Sequence, residues 1–314
     1  NGIIISQLVD HFTGGIPALG QRAYGLIGNQ VLIAIPVFVL MGAILEKSRI
    51  AEELLDTMGR SFGQLRGGLG ISVVLVGTLL AASTGIVGAT VVAMGLIALP
   101  TMLKAGYKPS LAAGIVCTAG TLGQIIPPST LLIILADVMS NSYQQAQYEQ
   151  GKFSVEALSV GQFFAAAIIP GLMLVTIYLL YILIRGYLRP QDMPAADLGL
   201  AKPTRAEVLG AILPPVLLIF AVLGAILGGI ATPTEAASVG AIGALLMAGR
   251  KIGINPRMIL LGAGALVLLG VLSGVFPVRL QRADASVLHW VIGAAYAVMS
   301  LIGAYAVFLA LRAG

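Results

Sequence analysis

The chain alternates long apolar stretches with short charged ones. No Asp, Glu, Lys or Arg occurs in residues 67–103, 109–136, 157–184, 208–234, 258–278 or 285–311. Each run is at least as long as the ~20 residues that cross a hydrocarbon core. Backbone polar groups in lipid must bond within their own segment, so the runs are expected to be helices. The alternation over ~10-residue segments that marks a membrane β-barrel is missing. An all-α, polytopic integral membrane protein is the fold class this pattern predicts. Residues 31–45 form a shorter apolar helix with Pro36 inside it. In residues 46–66, Ile50, Leu54, Leu55, Met58 and Phe62 recur at helical spacing between Glu52, Glu53, Asp56 and Arg60. That is either an amphipathic helix at an interface, bracing other helices, or a plain connecting helix.

Two runs cannot be single straight helices. At 1.5 Å per residue, 67–103 would extend roughly 55 Å, nearly twice the core thickness. Its midpoint is Gly85, in Ala81-Ala82-Ser83-Thr84-Gly85. It is either a re-entrant hairpin with its tip inside the membrane or two full spans with a tight outer turn. The run 109–136 carries Gly120-Thr121-Leu122-Gly123-Gln124-Ile125-Ile126-Pro127-Pro128-Ser129 near its centre. Two prolines remove two backbone donors, which predicts a discontinuous helix. Freed backbone groups at that depth are tolerated where they line a cavity or hold a ligand.

Composition agrees and adds little. The chain is 58% hydrophobic and 10% charged, with a mean hydropathy of +0.99, against about 25% charge in soluble domains. The net charge of +5 comes from loop lysines and arginines rather than a nucleic-acid-binding face. Basic loops at 104–108 and 185–207 place those ends in the cytoplasm, and 137–156, with Asp137, Glu149 and Glu156, outside. Cys117 is alone, and His11 and His289 are far apart, so neither a disulfide framework nor a zinc centre is expected. The expected division is 1–66 as scaffold helix and amphipathic arm, 67–136 as hairpin and broken helix, 137–207 as external loop, span and cytoplasmic loop, and 208–314 as further scaffold spans. The chain begins at Asn1 and stops on Arg312-Ala313-Gly314 after an apolar run, and is expected to be part of a longer protein.

The candidate chemistry lies in the two breaks. Discontinuous helices near the midplane build substrate and ion sites in many secondary transporters. A broken C-terminus offers carbonyl oxygens to a cation, and a broken N-terminus offers amides to a carboxylate. Ser83, Thr84, Thr121 and Ser129 add neutral oxygens, and Na⁺ would be held by Ser83, Thr121 and carbonyls near Gly120 and Gly123. Neither break contains an acid, so Na⁺ is favoured over a proton as the coupling ion. Each residue also has a plainer role: membrane hydroxyls bond back to helices, glycines permit close packing, prolines kink. Gln124 either donates to substrate or holds the break together. Asp137 is read as solvated at a span end, and Asn29 and Gln30 either as interfacial or as facing a cavity. In Gly228-Gly229-Ile230-Ala231-Thr232-Pro233-Thr234-Glu235-Ala236-Ala237, a turn with Thr234 as the helix cap and Glu235 in the first turn is expected. An enzyme with Ser83 as nucleophile lacks a base other than His289, so no enzymatic activity is expected, and a channel is the weaker transport reading.

Four segments come in the order and spacing of one family. They are Ile35-Pro36-Val37-Phe38-Val39-Leu40-Met41-Gly42, Ala82-Ser83-Thr84-Gly85, the stretch Gly120–Ser129, and Ala231-Thr232-Pro233-Thr234-Glu235-Ala236-Ala237. Over roughly residues 30–250 they resemble the large membrane subunit of tripartite ATP-independent periplasmic (TRAP) transporters. The resemblance implies a multi-pass protein of the bacterial inner membrane importing organic acids such as dicarboxylates by Na⁺ symport and an elevator motion. It also implies two partners, a periplasmic solute-binding protein and a small membrane subunit, and no cofactor besides the coupling ion; the alternative is a carboxylate or anion transporter of the same broad ion-transporter architecture that needs no binding protein. It places Ser83, Thr84, Gly85 and residues 120–129 in the moving part. The family has two inverted repeats, and no second hairpin-like run follows residue 130. The Pro214-Pro215 pair is read as a kink near the start of its span. The chain would thus supply the first repeat and part of the second.

Overall fold

The computed structural model describes residues 24, 25, 27–85, 87–152, 154–196, 201–251, 255–275 and 287–313, and all regular structure among them is helical. Helix α1, Gln30–Lys47, starts at Asn29, whose side-chain oxygen accepts from the Val31 amide. Its buried seam is Ala34, Phe38, Met41 and Leu45, the three-to-four spacing of one helix face. Helix α2, Ile50–Phe62, turns away by 57° at Arg49, which takes a left-handed conformation. It buries Ile50, Leu54, Leu55 and Met58 and exposes Glu52, Glu53 and Asp56, an amphipathic pattern at the spacing seen in the sequence.

Helices α3, Gly68–Thr84, and α4, Val87–Lys104, follow as two legs joined at Gly85. Helix α5, Pro109–Thr121, runs into one 3₁₀ turn, Leu122–Gln124, and stops; α6, Thr130–Glu149, resumes after the prolines. Helix α7, Val160–Leu188, is unbroken and starts with a capping box between Ser159 and Gln162. Helices α8, Arg205–Leu227, α9, Pro233–Lys251, α10, Pro256–Val275, and α11, Val287–Ala313, complete the chain. Helix α9 packs against α1 and α8 with close backbone approach: a Cβ on Gly240 would lie 2.5 Å from Met41 Sδ and 2.9 Å from Val222 Cγ2.

Among the described residues, four helices are long and apolar enough to cross a membrane: Val87–Lys104, Val160–Leu188, Arg205–Leu227 and Trp290–Ala310; the bent α1–α2 pair would make five. The run 67–103 divides and the run 109–136 stops, as the length of the first and the prolines of the second predict. Two expectations change. The stretch 137–149, read as the start of an external loop, is helical: no Gly or Pro interrupts α6, and Gln147 pairs with the Glu156 backbone in both directions to return the chain. Pro214 and Pro215 lie near the middle of α8 rather than its start, and the helix runs through both.

Candidate transport site

The break between α5 and α6 follows from backbone accounting. Pro127 has no N–H for the Gly123 carbonyl, and Pro128 has none for Gln124. The Ile125 and Ile126 amides both turn back to the Leu122 carbonyl. The Ser129 hydroxyl replaces the missing donor at Gln124, giving its proton to that carbonyl at 2.8 Å while accepting from the Leu132 amide at 3.4 Å. Ser129, buried to 1% exposure, is both the patch on the break and the N-cap of α6. For the Gly123 carbonyl, Pro127 removes the ordinary helical donor.

The hairpin tip docks on this break. The carbonyl of Gly85, just past the last turn of α3, accepts from Thr130 Oγ1 at 2.7 Å and Gln124 Nε2 at 3.2 Å. One oxygen thus ties together the ends of the two half-helices. Gly85 has a φ of +61° and sits against Thr130, with 3.1 Å left between a Cβ and Thr130 Cγ2. The legs approach α5 equally closely: Gly77 meets Ala119, and Gly120 meets Val91 of α4.

Helix α7 measures the depth of this junction. At its C-terminal end, Gly186 touches the Arg66 carbonyl, a Cβ there lying 3.0 Å from it. The loop that follows clasps both bases of the hairpin: the Gly67 amide donates to the Met193 carbonyl and the Lys108 amide to the Asp192 carbonyl. An Arg185–Asp192 ion pair at 2.9 Å closes the clasp, with Met193 fully buried. Farther along α7, Gly171 lies against Ile125 and Ile126, at the break. From Gly186 to Gly171 is about 22 Å of helix, and from Gly171 to the N-terminal end at Val160 about 16 Å. Both ends of the hairpin therefore sit at one end of a full span, and its tip near the middle. That placement fits a re-entrant hairpin, while α4, Val87–Lys104, is by length and composition also able to cross a membrane.

The sequence matches the family described as "Tripartite ATP-independent periplasmic transporter, DctM component" over residues 3–258. The chain belongs to the TRAP transporter large-permease family. It is 37% identical over 229 residues to a C4-dicarboxylate TRAP transporter large permease protein of Pseudomonas aeruginosa, covering 72% of this chain and 48% of that protein. An ectoine TRAP transporter large permease protein of Halomonas elongata is 31% identical over 236 residues, covering 74% and 50%. An isethionate TRAP transporter permease protein of Oleidesulfovibrio alaskensis is 30% identical over 238 residues, covering 74% and 34%. The chain spans about half the length of the first two relatives and a third of the last. The family is one of multi-pass membrane transporter components rather than of enzymes.

Within this TRAP permease chain, Gly85, Gly120, Gly123, Gln124, Pro127, Pro128 and Ser129 come together at one junction. Gln124 donates one of its two amide protons to the Gly85 carbonyl and so ties the break to the tip. The backbone of α3 reaches Thr84, but the side chains of Ser83 and Thr84 lie outside the described residues, as does that of His289. Thr121 is exposed on α5, its hydroxyl donating back to the Thr118 carbonyl at 2.8 Å, which leaves its oxygen lone pairs outward. Thr232, not Thr234, caps α9: its hydroxyl accepts from the Glu235 amide, and Glu235 Oε2 accepts from the Thr232 amide at 2.8 Å. Pro233 opens the helix at N1, which moves the cap one residue before it. Asp137 lies within α6 rather than at the end of a helix; it is half-buried and accepts from Asn29 Nδ2 at 3.0 Å. Thr130 went unremarked in the sequence, although a hydroxyl directly after the Pro-Pro-Ser cap was its signal. No group of three or more His, Cys, Asp or Glu that could hold a metal ion occurs among the described residues.

Proposed function

We propose that this chain forms the hairpin-bearing part of a Na⁺-coupled importer of small organic acids. The observation that carries the reading is the docking of the Gly85 tip on the Gln124–Thr130 break at mid-span. Na⁺ suits the junction because carbonyl and hydroxyl oxygens are present there and carboxylates are not; the Gly123 carbonyl, the Gly120 region, Thr121 and Ser83 are the proposed ligands. The hairpin, α5, α6 and α7 move as one body past α1 and α9 in an elevator-type step. A periplasmic solute-binding protein delivers the substrate and a small membrane subunit braces the permease, in the inner membrane of a bacterium. The relatives' names cover C4-dicarboxylates, ectoine and isethionate. These molecules share a small anionic group and little else, which suits a site that reads an acid through backbone amides and leaves finer choice to the binding protein.

Uptake into vesicles carrying the complete permease, its small subunit and its binding protein tests the proposal. Uptake is expected to vanish without Na⁺ or without the binding protein, and Thr121→Ala is expected to raise the Na⁺ concentration needed for half-maximal rate several-fold. Uptake indifferent to both omissions would overturn it.

A further inference from the structure

The hairpin body, α3 to α7, is tied at its tip through Gly85 and at its base through the Asp192–Met193 clasp. Helices α1, α8 and α9 interlock separately through Met41, Val222 and Gly240. Where the two bodies meet, α1 packs on α3 through buried apolar side chains. Such contact is non-directional and tolerates sliding, whereas a hydrogen bond has a defined length and angle and fixes a register. Polar links across the boundary therefore bear on where one body stops on the other. At the clasp end, Arg60 of α2, which packs on α3, reaches Glu207 of α8 at 3.3 Å, but Glu207 is 54% exposed and such pairs contribute little. At the other end, the single side chain of Asn29 does two things. Its oxygen caps α1, and its nitrogen donates to Asp137 of α6 at 3.0 Å. This contact borders a crevice of about 430 Å³ lined by Val31, Asp137, Ser140, Ser159 and Pro233.

We propose that the Asn29–Asp137 hydrogen bond is a latch that sets the register of the hairpin body on α1, making both of them positioning residues for transport. The inference rests on the relative movement of the two bodies proposed above. One side-chain hydrogen bond of this kind is enough to bias a two-state population by up to about tenfold.

The test uses Ser140→Cys as a reporter in the crevice, in the complete permease with Cys117→Ser, labelled from outside by a membrane-impermeant maleimide. Asn29→Ser keeps a good helix cap but is too short to bridge; Asp137→Ala removes the acceptor; Asp137→Asn keeps an acceptor oxygen and removes the charge. Asn29→Ser and Asp137→Ala are expected to shift the labelling rate in the same direction by about threefold or more, with no further shift when combined. Asp137→Asn is expected to stay near the parent. An Asn29→Ser rate equal to the parent's would reduce Asn29 to a cap, and an Asp137→Asn rate matching Asp137→Ala would make charge the cause; either overturns the latch. If Asp137→Ala does not fold, Asn29→Ser against Asp137→Asn still decides. Labelling is measured without substrate or Na⁺, so it stands whatever the uptake experiment returns.

Discussion

At Gly120 the α4–α5 contact has no room for a side chain: a Cβ would lie 2.3 Å from Val91 Cγ2 and 3.1 Å from Val91 Cα. Backbone cannot retreat as a flexible side chain can, so Gly120→Ala is expected to destabilise by about 1–3 kcal/mol in detergent melts. Gly114, on the same helix with nothing within 4 Å, is the control, and its Ala variant should lose nothing. Tyr107 makes a different prediction. Its hydroxyl is buried at the hairpin base and points at the first-turn amides of Leu69 and Gly70 without closing a well-formed bond to either. Burial pushes its pKa above the ordinary tyrosine value, an effect larger than the opposing pull of those amides. The folded chain then holds the phenol proton more tightly than the unfolded one. That contribution is complete below about pH 10 and is lost as pH rises toward the folded pKa. Tyr107→Phe should therefore lose less stability than the parent in melts recorded between about pH 9.5 and 11.

At the scale of elements, the two prolines are the cause of the site. Replacing both by Ala returns N–H donors to the Gly123 and Gln124 carbonyls and permits α5 to run on into α6. Pro127→Ala with Pro128→Ala is therefore expected to melt no lower than the parent while Na⁺-dependent uptake is lost. A variant that melts lower and still transports with normal Na⁺ dependence would show that the break serves packing. Much of this junction was legible in the sequence, because Pro-Pro and Gly act on the backbone locally and leave a mark at their own positions. The uncharged run around Gly85 likewise announced a break through its length alone. What stayed hidden was set by residues distant in the chain. Gln124 had two equal readings until Gly85 proved to be its partner. Asp137 read as a solvated end because nothing local shows that Asn29, 108 positions earlier, comes to meet it. The cap at Thr232 was misplaced by two residues for a local reason, the preference of Pro233 for the first helical position.

For the whole molecule, a re-entrant hairpin and a pair of complete spans leave different surfaces open to water, and labelling reads the difference directly. Both hairpin bases share the clasp with Arg185 and Asp192, at the end where basic loops predict cytoplasm. Gly88, two turns or less beyond the tip, has open space around it and accepts a cysteine without strain. Tyr148, 65% exposed near the end of α6, lies at the opposite end from the clasp and serves as the external reference. In a Cys117→Ser background, a membrane-impermeant maleimide added outside should label Tyr148→Cys readily and Gly88→Cys at least about tenfold more slowly, since the junction lies about 16 Å of α7 inward from Val160. Two complete spans would instead carry Gly88 to the outer turn, and the two cysteines would react alike. The same comparison bears on transport. A tip that is reached slowly from outside, and faster once the complete complex is supplied with substrate-loaded binding protein, is a tip that moves. A tip unreachable under every condition would confine the junction to holding the fold, and the proposed ion ligands at Gly123 and Thr121 would lose their route to water.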